Sequence, residues 1–292
     1  MLQHLKALVH KWFRKATGRN PSAAGNPPLA VFTMAYNEHD MLPLWAQHYI
    51  RQVGAGHVYI LDHGSDHLPP LPGCSVITLK RDELDEIERT KIVENFQQKL
   101  LQNYRFVLFT DCDEFLIARP QQYLSLRDYA QNCPYKTVQC VGVDIIQQEA
   151  DMPPVRWHQP VLHQRPYGAI RPWSCKPLLS SVPLSWQPGF HTCDQPATLD
   201  TSLWMIHLKY ADQKRTLQRL SLTRSLQWSQ QAIRLRHGDS HRISDEQLID
   251  FFNIFQKNKS EKNLDKLDLR NIIQSGQESS LYRIPHEFIN SL

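Results

Sequence analysis

The stretch FVLFTDCDEFLI, residues 106–117, decides which fold this sequence predicts. Its first four residues are apolar and predict a buried strand that ends in a pair of carboxylates. Ligands of open α/β sheets bind beyond the carboxyl ends of the strands. Because alternate residues of a strand share a face, Asp111 and Asp113 can converge on one ion while Cys112 points away. Two carboxylates suit Mg²⁺ or Mn²⁺, so we expect a metal that clamps a diphosphate.

Polar side chains also follow the first two predicted strands. The first strand, residues 29–35, is followed by Asn37 and Glu38, and the second strand ends at Asp62 before a Gly-Ser turn. We expect Asp62 to accept a hydrogen bond from a base or a ribose, and backbone groups around Ala35 and Asn37 to line the nucleoside pocket. Each segment alone also fits an ordinary turn. Together, the three strand ends predict one nucleotide cleft.

The order of the predicted elements indicates an α/β protein. Short apolar runs alternate with helical patterns over residues 29–212, which predicts an open, mostly parallel sheet covered on both faces. One helix is predicted over residues 41–53, and a longer one is predicted to be capped by Asp82 and to end near Asn103. Residues 213–292 show helical spacing and predict a mainly helical C-terminal region. Residues 1–28 predict a helix followed by a turn-rich linker, so we divide the chain after residues 28 and 212.

The distribution of charge argues against nucleic acid as a partner. The formal charge of +4 divides into +5 for residues 1–28, −5 for residues 29–212 and +4 for residues 213–292. A nucleic-acid binder normally carries a basic stripe through its folded core, whereas this core is acidic. Metal ions and polar small molecules match the composition better.

Residues 1–19 predict a basic amphipathic helix. Such a helix can lie in the interface of an anionic membrane, or it can dock on its own domain or on a neighbouring subunit, and the sequence leaves both open. The chain shows no signal-peptide h-region and no run of 18 apolar residues, and its six cysteines form no CxxC pair. We therefore expect a cytoplasmic protein with reduced thiols. Peripheral contact at the inner face of the membrane is one of the two roles that the sequence leaves open for residues 1–19.

Two segments resemble a known enzyme family. Residues 34–66, MAYNEHDMLPLWAQHYIRQVGAGHVYILDHGSD, and residues 107–116, VLFTDCDEFL, are similar to glycosyltransferases of GT-A fold in the family 2-like group. The resemblance is to the branch that includes the family 92 enzymes and carries a DxDEF motif; it covers residues 29–118 and continues weakly to residue 212. It implies a Rossmann-like GT-A fold that transfers a hexose from a nucleotide-diphosphate sugar, usually a UDP-sugar, using Mn²⁺ or Mg²⁺. The acceptors we consider are hydroxyls of a glycan, a glycolipid or a surface polysaccharide.

The resemblance also assigns roles to the strand ends. It implies that Asp62 contacts uracil or ribose, and that Asn37 and Glu38 shape the nucleoside pocket. It further implies that Asp111 and Asp113 hold the metal and the diphosphate. The complete set of residues predicted to bind the nucleotide sugar is Ala35, Asn37, Glu38, Asp62, His63, Ser65, Asp66, Asp111 and Lys209.

A later strand is expected to complete the donor site. Enzymes of GT-A fold commonly add a metal ligand, often His, from a later strand, and His207 fits that position. Lys209 shares its face and is expected to neutralise the leaving diphosphate. A hydrogen-bonded core histidine and a surface salt bridge are the alternative roles of these two residues. The predicted metal ligands are Asp111, Asp113 and His207.

An inverting transfer needs a group that removes the acceptor proton. Asp194, in a Gly-containing segment shortly before the later strand, is the predicted base, with Asp144 and Glu149 as reserves. Further candidates are three tryptophans for stacking on acceptor sugars and two cations for contacting phosphate, each also compatible with a structural role: Trp157, Trp173, Trp186, Arg171 and Lys176.

Three other classes of protein share parts of this pattern. Phosphohydrolases of the haloacid dehalogenase type also place DxD after an apolar strand, with the first Asp, here Asp111, as nucleophile, but normally on the first strand of the domain. Nucleotidyltransferases generally carry a Gly-rich basic loop after the first strand, whereas residues 36–40, YNEHD, are acidic and lack Gly. A non-catalytic carbohydrate-binding protein would show no donor hydrolysis.

Overall fold

The computed structural model describes residues 26–276 and 280–292. The helix predicted over residues 1–19, and most of the linker that follows it, lie outside the described residues. No helix among the described residues is long and apolar enough to cross a membrane.

Within the described residues the chain forms eleven β-strands and eight α-helices. The strands are β1 (Leu29–Ala35), β2 (Val58–Asp62), β3 (Cys74–Thr78), β4 (Phe106–Phe109), β5 (Glu114–Ala118), β6 (Thr137–Ile146), β7 (Tyr167–Ile170), β8 (Pro177–Ser180), β9 (Thr198–Tyr210), β10 (Lys259–Asn263) and β11 (Leu281–Arg283). The helices are α1 (Met41–Val53), α2 (Glu86–Leu100), α3 (Leu126–Asn132), α4 (Val161–Gln164), α5 (Gln213–Ser225), α6 (Gln230–Arg234), α7 (Asp245–Lys257) and α8 (Leu269–Ser275).

These eleven strands belong to one sheet. The order is β10-β11-β7-β6-β8-β4-β1-β2-β3, and β9 pairs with both β6 and β5. Strands β3, β2, β1 and β4 are mutually parallel, and the antiparallel steps through β8 return β6 and β9 to the same direction. Among the described strands only β5, β7 and β8 run the other way. The predicted open, mostly parallel α/β sheet is confirmed.

The two faces of the sheet are covered by different helices. Leu29 and Val31 of β1 face the core beneath α1 and α3, whereas Ala30 and Phe32 face the core beneath α2. Because successive residues of a strand point to opposite faces, a strand buried on both sides needs an unbroken apolar run. This explains why the sequence of β1 is almost continuously apolar.

Helix α2 begins three residues later than its predicted cap requires. The side chain of Asp85, not that of Asp82, accepts hydrogen bonds from the backbone N–H groups of Ile87 and Glu88, each at 2.9 Å. The prediction of Asp82 as the cap was wrong because several acidic residues precede the helix and each fits the pattern. Ser229 Oγ also contacts Asp85 at 2.5 Å, which ties the start of α2 to the C-terminal region.

The C-terminal region is mainly helical, as expected, and packs on the same sheet. Helices α5 and α7 contribute Leu220, Phe252 and Phe255 to a third core that also contains Ile146 of β6. Strand β11 pairs with β7 and extends the sheet. The region after residue 212 therefore shares its core with the parallel strands.

Gly142 marks the closest approach of two backbones in the sheet. A Cβ atom at this position of β6 would lie 2.1 Å from the carbonyl carbon of Ser174 and 2.2 Å from its oxygen. Because backbone atoms cannot move aside as a side chain can, we expect Gly142→Ala to lower the free energy of unfolding by about 3 kcal/mol. Urea denaturation monitored by circular dichroism measures the change.

Gly56→Ala is the matched control. Gly56 has a φ of +82°, and an added Cβ would meet nothing within 4 Å, so this variant reports only the cost of left-handed backbone, about 1 kcal/mol. Equal losses in the two variants would contradict the close approach at Gly142.

Candidate active site

A cavity of about 820 Å³ lies at the carboxyl ends of the strands. Five strands place a side chain on its wall at or near their C-terminal ends: Ala35 from β1, His63 from β2, Asp111 from β4, Asp144 from β6 and His207 from β9. Helix α5 and residues 226–241 line another part. This is the edge of an open α/β sheet at which ligands bind.

Hydrogen bonds join the loops that follow β1 and β2. Asn37 Nδ2 donates to Asp66 Oδ2 at 2.8 Å, and Asp66 N donates back to Asn37 Oδ1 at 2.9 Å. Asn37 N donates to Ser65 Oγ at 3.0 Å, and Ser65 N donates to Asp62 Oδ1 at 2.9 Å. These four residues therefore hold the two loops together. The other predicted nucleoside residues line the cavity itself: Ala35, Glu38 and His63.

Two arginines of α5 hold Glu38. Arg219 Nη2 lies 2.7 Å from Glu38 Oε1, and Arg215 Nη2 lies 2.9 Å from Glu38 Oε2. Arg219 Nη1 also donates to the carbonyl oxygen of Asn37 at 2.8 Å. Helix α5 thereby fixes the loop after β1. Neither arginine was predicted as a site residue. The available signal was their separation of four residues, which places them on one helix face.

Beyond the carboxyl end of β1, Tyr36 stacks with Arg81, and His63, which follows β2, has an uncharged imidazole ring. The guanidinium carbon of Arg81 lies 3.8 Å from the centroid of the Tyr36 ring. Burial, together with Arg81 and Arg89, lowers the pKa of His63 to about 3. His63 is therefore neutral at pH 7. This end of the cavity suits a planar, uncharged heterocycle.

Asp111 is bound by two cations. Its Oδ1 pairs with Arg89, and its Oδ2 lies 3.3 Å from Lys176 Nζ. Burial alone would raise the pKa of Asp111, but Arg89 and Lys176 outweigh it and lower the pKa to about 2. Lys176 Nζ also lies 2.6 Å from Glu114 Oε1, and Glu114 Oε2 accepts from Asp111 N at 3.0 Å. Glu114 and Lys176 are therefore buried supports of the acidic loop.

The register of the strands places His207 among acidic residues. It lies opposite Glu114 in β5 and beside Asp144 in β6. His207 Nδ1 lies 2.8 Å from Asp144 Oδ1, and His207 Nε2 lies 3.6 Å from Asp113 Oδ1. Ser174 Oγ donates to the same oxygen of Asp144 at 2.6 Å. Asp144 thereby orients the imidazole with Nε2 toward Asp113.

Asp113 and His207 fit a divalent cation. An ion about 2.1 Å from each of two ligands accommodates ligand atoms roughly 3 to 4 Å apart, and the separation here is 3.6 Å. A metal-binding histidine typically gives its other ring N–H to a carboxylate, as His207 does to Asp144. Over residues 26–276 and 280–292, no group of three or more His, Cys, Asp or Glu side chains is arranged to hold a metal. Asp111 as a third ligand stays a prediction.

The protonation of His207 depends on the two carboxylates beside it, those of Asp113 and Asp144. Burial opposes its protonation, but Asp113 and Asp144 raise the pKa of His207 well above its ordinary value. A cation therefore competes with a proton for Nε2.

Lys209 is a cation without a carboxylate partner. It lies two residues beyond His207 on β9 and lines the cavity. In the described part of the chain no carboxylate oxygen lies within 4.0 Å of its Nζ, which stands 5.4 Å from the centroid of the Tyr210 ring. The burial of Lys209 would lower its pKa, but Tyr210 and Asp113 raise it above its ordinary value. Lys209 is thus a charged group free to meet an anion.

The three residues considered as catalytic base lie in different settings. Asp194 is not part of the cavity wall, and its Oδ1 accepts from Ser185 N at 2.8 Å. Glu149 is exposed and pairs with Lys259 at 3.6 Å. Asp144 lines the cavity, but it already accepts two hydrogen bonds. This placement argues against Asp194 and Glu149 as the base.

Of the three tryptophans considered for the acceptor, Trp173 alone lines the cavity, and it is 66% exposed. Trp186 is a core residue at 4% exposure. Trp157 packs beneath Arg215, whose guanidinium carbon lies 5.5 Å from the centroid of the Trp157 ring. Arg171 lies on the cavity wall, as the phosphate-contact hypothesis requires.

No family model matches the chain, and no curated protein matches it. Among solved structures, a CMP:2-keto-3-deoxy-manno-octonic acid synthetase complexed with CTP shares 10% sequence identity at a TM-score of 0.27, over 39% of this chain and 52% of that chain. A mannosyltransferase from Pyrobaculum calidifontis in complex with GDP-Man and Mn²⁺ shares 15% identity at a TM-score of 0.26, over 50% and 45%. A mannose-1-phosphate geranyltransferase from Thermus thermophilus shares 9% identity at a TM-score of 0.26, over 90% and 76%.

The chain spans about half the length of the first two of these structures. At TM-scores below 0.3 these likenesses carry no argument about function. We therefore infer function from the site itself and from the sequence motifs.

The buried contact of Lys176 generates a stability prediction. Lys176→Met leaves Glu114, whose side chain is 1% exposed, as a buried carboxylate without its cation. We expect this variant to lose about 3 kcal/mol of unfolding free energy. Chemical denaturation measures the loss.

Two further variants separate this effect from a general intolerance of substitution. Adding Glu114→Gln to Lys176→Met should recover part of the loss, because the unpaired charge is removed. The exposed pair of Lys259 and Glu149 is the matched control, and Lys259→Met should cost less than about 1 kcal/mol. A loss at Lys176 no larger than the loss at Lys259 would contradict the buried pair.

Proposed function

We propose that this protein is a metal-dependent glycosyltransferase that moves a hexose from a nucleotide-diphosphate sugar, specifically a UDP-sugar, to an acceptor hydroxyl with inversion. The observation that carries the proposal is the pair formed by Asp113 and His207, 3.6 Å apart. Asp113 directly precedes β5, and His207 lies near the carboxyl end of the neighbouring strand β9. The DxD pattern and the resemblance of residues 29–118 to enzymes of GT-A fold support it. The proposed acceptor is a glycan, a glycolipid or a surface polysaccharide.

Asp113 and His207, with Asp111 beside them, are the residues that would hold Mn²⁺ or Mg²⁺. A divalent cation bound there supplies positive charge that stabilises the departing diphosphate. Asp144 contributes by holding the His207 ring through Nδ1, which leaves Nε2 for the cation.

The cations around the cavity support an anionic donor. Arg89 and Lys176 offset the charge of Asp111, so this carboxylate repels a diphosphate less than an unpaired one would. Lys209, which has no carboxylate partner among the residues that the structure describes, adds an ammonium on the same strand as His207. We propose that the diphosphate lies between Lys209 and the metal ligands, because its oxygens accept charge-assisted hydrogen bonds from an ammonium.

The nucleoside is proposed to lie at the ends of β1 and β2. The stacked Tyr36 and Arg81 supply a flat surface, and the neutral His63 supplies a hydrogen-bonding ring without charge. Both properties suit a base such as uracil, which is planar and uncharged.

Ligand-induced stabilisation tests the donor site. For the wild-type chain we expect UDP with Mn²⁺ to raise the melting temperature, because a ligand that binds only the folded state stabilises it. Asp113→Asn and His207→Ala should abolish the metal-dependent part of the shift, since each removes one of the two closest ligands. Differential scanning fluorimetry measures the shift, and Asp250→Asn, on the exposed surface of α7, is the control.

Turnover provides the second measurement. Wild-type protein should release free sugar or glycoside from a UDP-hexose and should release no phosphate from p-nitrophenyl phosphate. Full activity in both Asp113→Asn and His207→Ala would refute the metal assignment. Phosphate release that depends on Asp111 would favour the phosphohydrolase instead, and binding without turnover would favour a carbohydrate-binding protein.

A cytoplasmic location with peripheral membrane contact is the remaining part of the proposal. It is supported by the charge of +5 in residues 1–28 and by the amphipathic pattern of residues 1–19. Deletion of residues 1–19 should release the protein from vesicles of phosphatidylserine and phosphatidylcholine in a flotation assay, without altering the UDP-dependent thermal shift. Unchanged vesicle binding would remove the membrane proposal.

A further inference from the structure

Residues 188–191 form a turn that is anchored in the core and reaches the cavity. Gly189 and Phe190 both have left-handed backbone, with φ of +90° and +62°. Phe190 is fully buried, and its ring centroid lies 4.5 Å from that of Phe109 in β4. Left-handed backbone at a bulky residue persists only where the surroundings enforce it. The turn therefore presents the next residue, His191, to the cavity in a fixed position.

One hydrogen bond determines the tautomer of His191. Its Nδ1 lies 2.6 Å from the carbonyl oxygen of Trp173. A carbonyl oxygen only accepts, so Nδ1 carries the hydrogen and, in the neutral ring, Nε2 carries the lone pair. The residues that the structure describes give Nε2 no hydrogen-bond partner. Nε2 is therefore available to accept a proton from a bound molecule.

The charged groups that face His191 favour the neutral ring. Partial burial and the ammonium of Lys176 lower the pKa of His191, while Asp111 acts in the opposite direction and His207 in the same. The net direction is downward, so the imidazole is unprotonated at pH 7. A neutral imidazole with a free nitrogen is the form in which histidine acts as a general base.

The neighbourhood of His191 suits an acceptor rather than the donor. Trp173, whose carbonyl holds His191, is 66% exposed on the cavity wall, and its ring centroid lies 5.9 Å from that of His191. This exposed indole offers a flat apolar face to the cavity, and such a face fits the C–H face of a sugar ring. The predicted bases Asp194 and Glu149 lie off the cavity wall.

We propose that His191 is the general base of the transfer and acts on the acceptor hydroxyl. Nε2 takes the hydroxyl proton while the acceptor oxygen forms a bond to the anomeric carbon of the donor. The bond from that carbon to the diphosphate oxygen breaks, and its electron pair leaves with the nucleoside diphosphate. His191 afterwards returns the proton to solvent. This inference rests on the proposed function and names the residue that completes it.

The test uses the full chain with Mn²⁺ and the UDP-hexose that wild-type protein hydrolyses fastest, with water as the acceptor. We expect His191→Ala to lower the hydrolysis rate about 100-fold or more, with the Kd for UDP in Mn²⁺ changed less than about 2-fold. Added imidazole should restore part of the rate. At saturating Mn²⁺, which keeps the proton off His207, the wild-type rate should fall toward low pH as His191 becomes protonated, and this acid limb should vanish in the variant.

His163→Ala is the matched control, because His163 is exposed and hydrogen-bonded to Asn290 away from the cavity. Hydrolysis by His191→Ala at the wild-type rate would overturn the assignment, and so would a loss of UDP affinity that accounts for the whole decrease in rate. Wild-type protein that neither binds UDP nor hydrolyses any UDP-hexose would overturn the proposed function, and the base assignment with it. The two failures are distinguishable because the first leaves wild-type activity intact.

Discussion

The buried ammonium of Lys176 is the contact on which the candidate site depends. It joins Asp111, which follows β4, to Glu114, which begins β5, and it is supplied by the residue immediately before β8. Removing such charges from water costs several kcal/mol per ion, which is offset only when all partners are in place. The native conformation of the acidic loop therefore requires the pairing of β8 with β4, which positions Lys176. The same strand pairing thus belongs to the sheet and brings the charged groups of the site together.

Around this contact most charges are paired, and the exceptions lie where a ligand is expected. Arg89 and Lys176 pair with Asp111, and the arginines of α5 pair with Glu38. Lys209 lacks an acidic partner in the described part of the chain. A cavity in which most charged side chains are already paired attracts ions only weakly. Its few unpaired groups therefore determine which ligand binds there.

The sequence predicted the elements whose determinants are local. Strand β1 and helix α1 have the predicted bounds, because a buried strand needs an apolar run and a helix needs an apolar face. The strand register brings His207 to 3.6 Å from Asp113, a pair that the sequence indicated only through the resemblance to enzymes of GT-A fold. Arg89 escaped prediction as a site residue, as did the arginines of α5, because their roles depend on which helix docks beside the strand ends. The residues adjacent to a cation in the sequence do not indicate which distant residue it pairs with.

The arginines of α5 have a consequence for the evolution of such a protein. Arg215 and Arg219 belong to the C-terminal region, yet they fix Glu38 and the carbonyl of Asn37 beside the nucleoside end of the cavity. A recombination event that exchanged the chain after residue 212 would separate these partners and leave Glu38, whose side chain is 14% exposed, without its cations. We therefore expect replacement of the C-terminal helices alone to destabilise the protein, and a substitution at Glu38 to require compensating changes in α5.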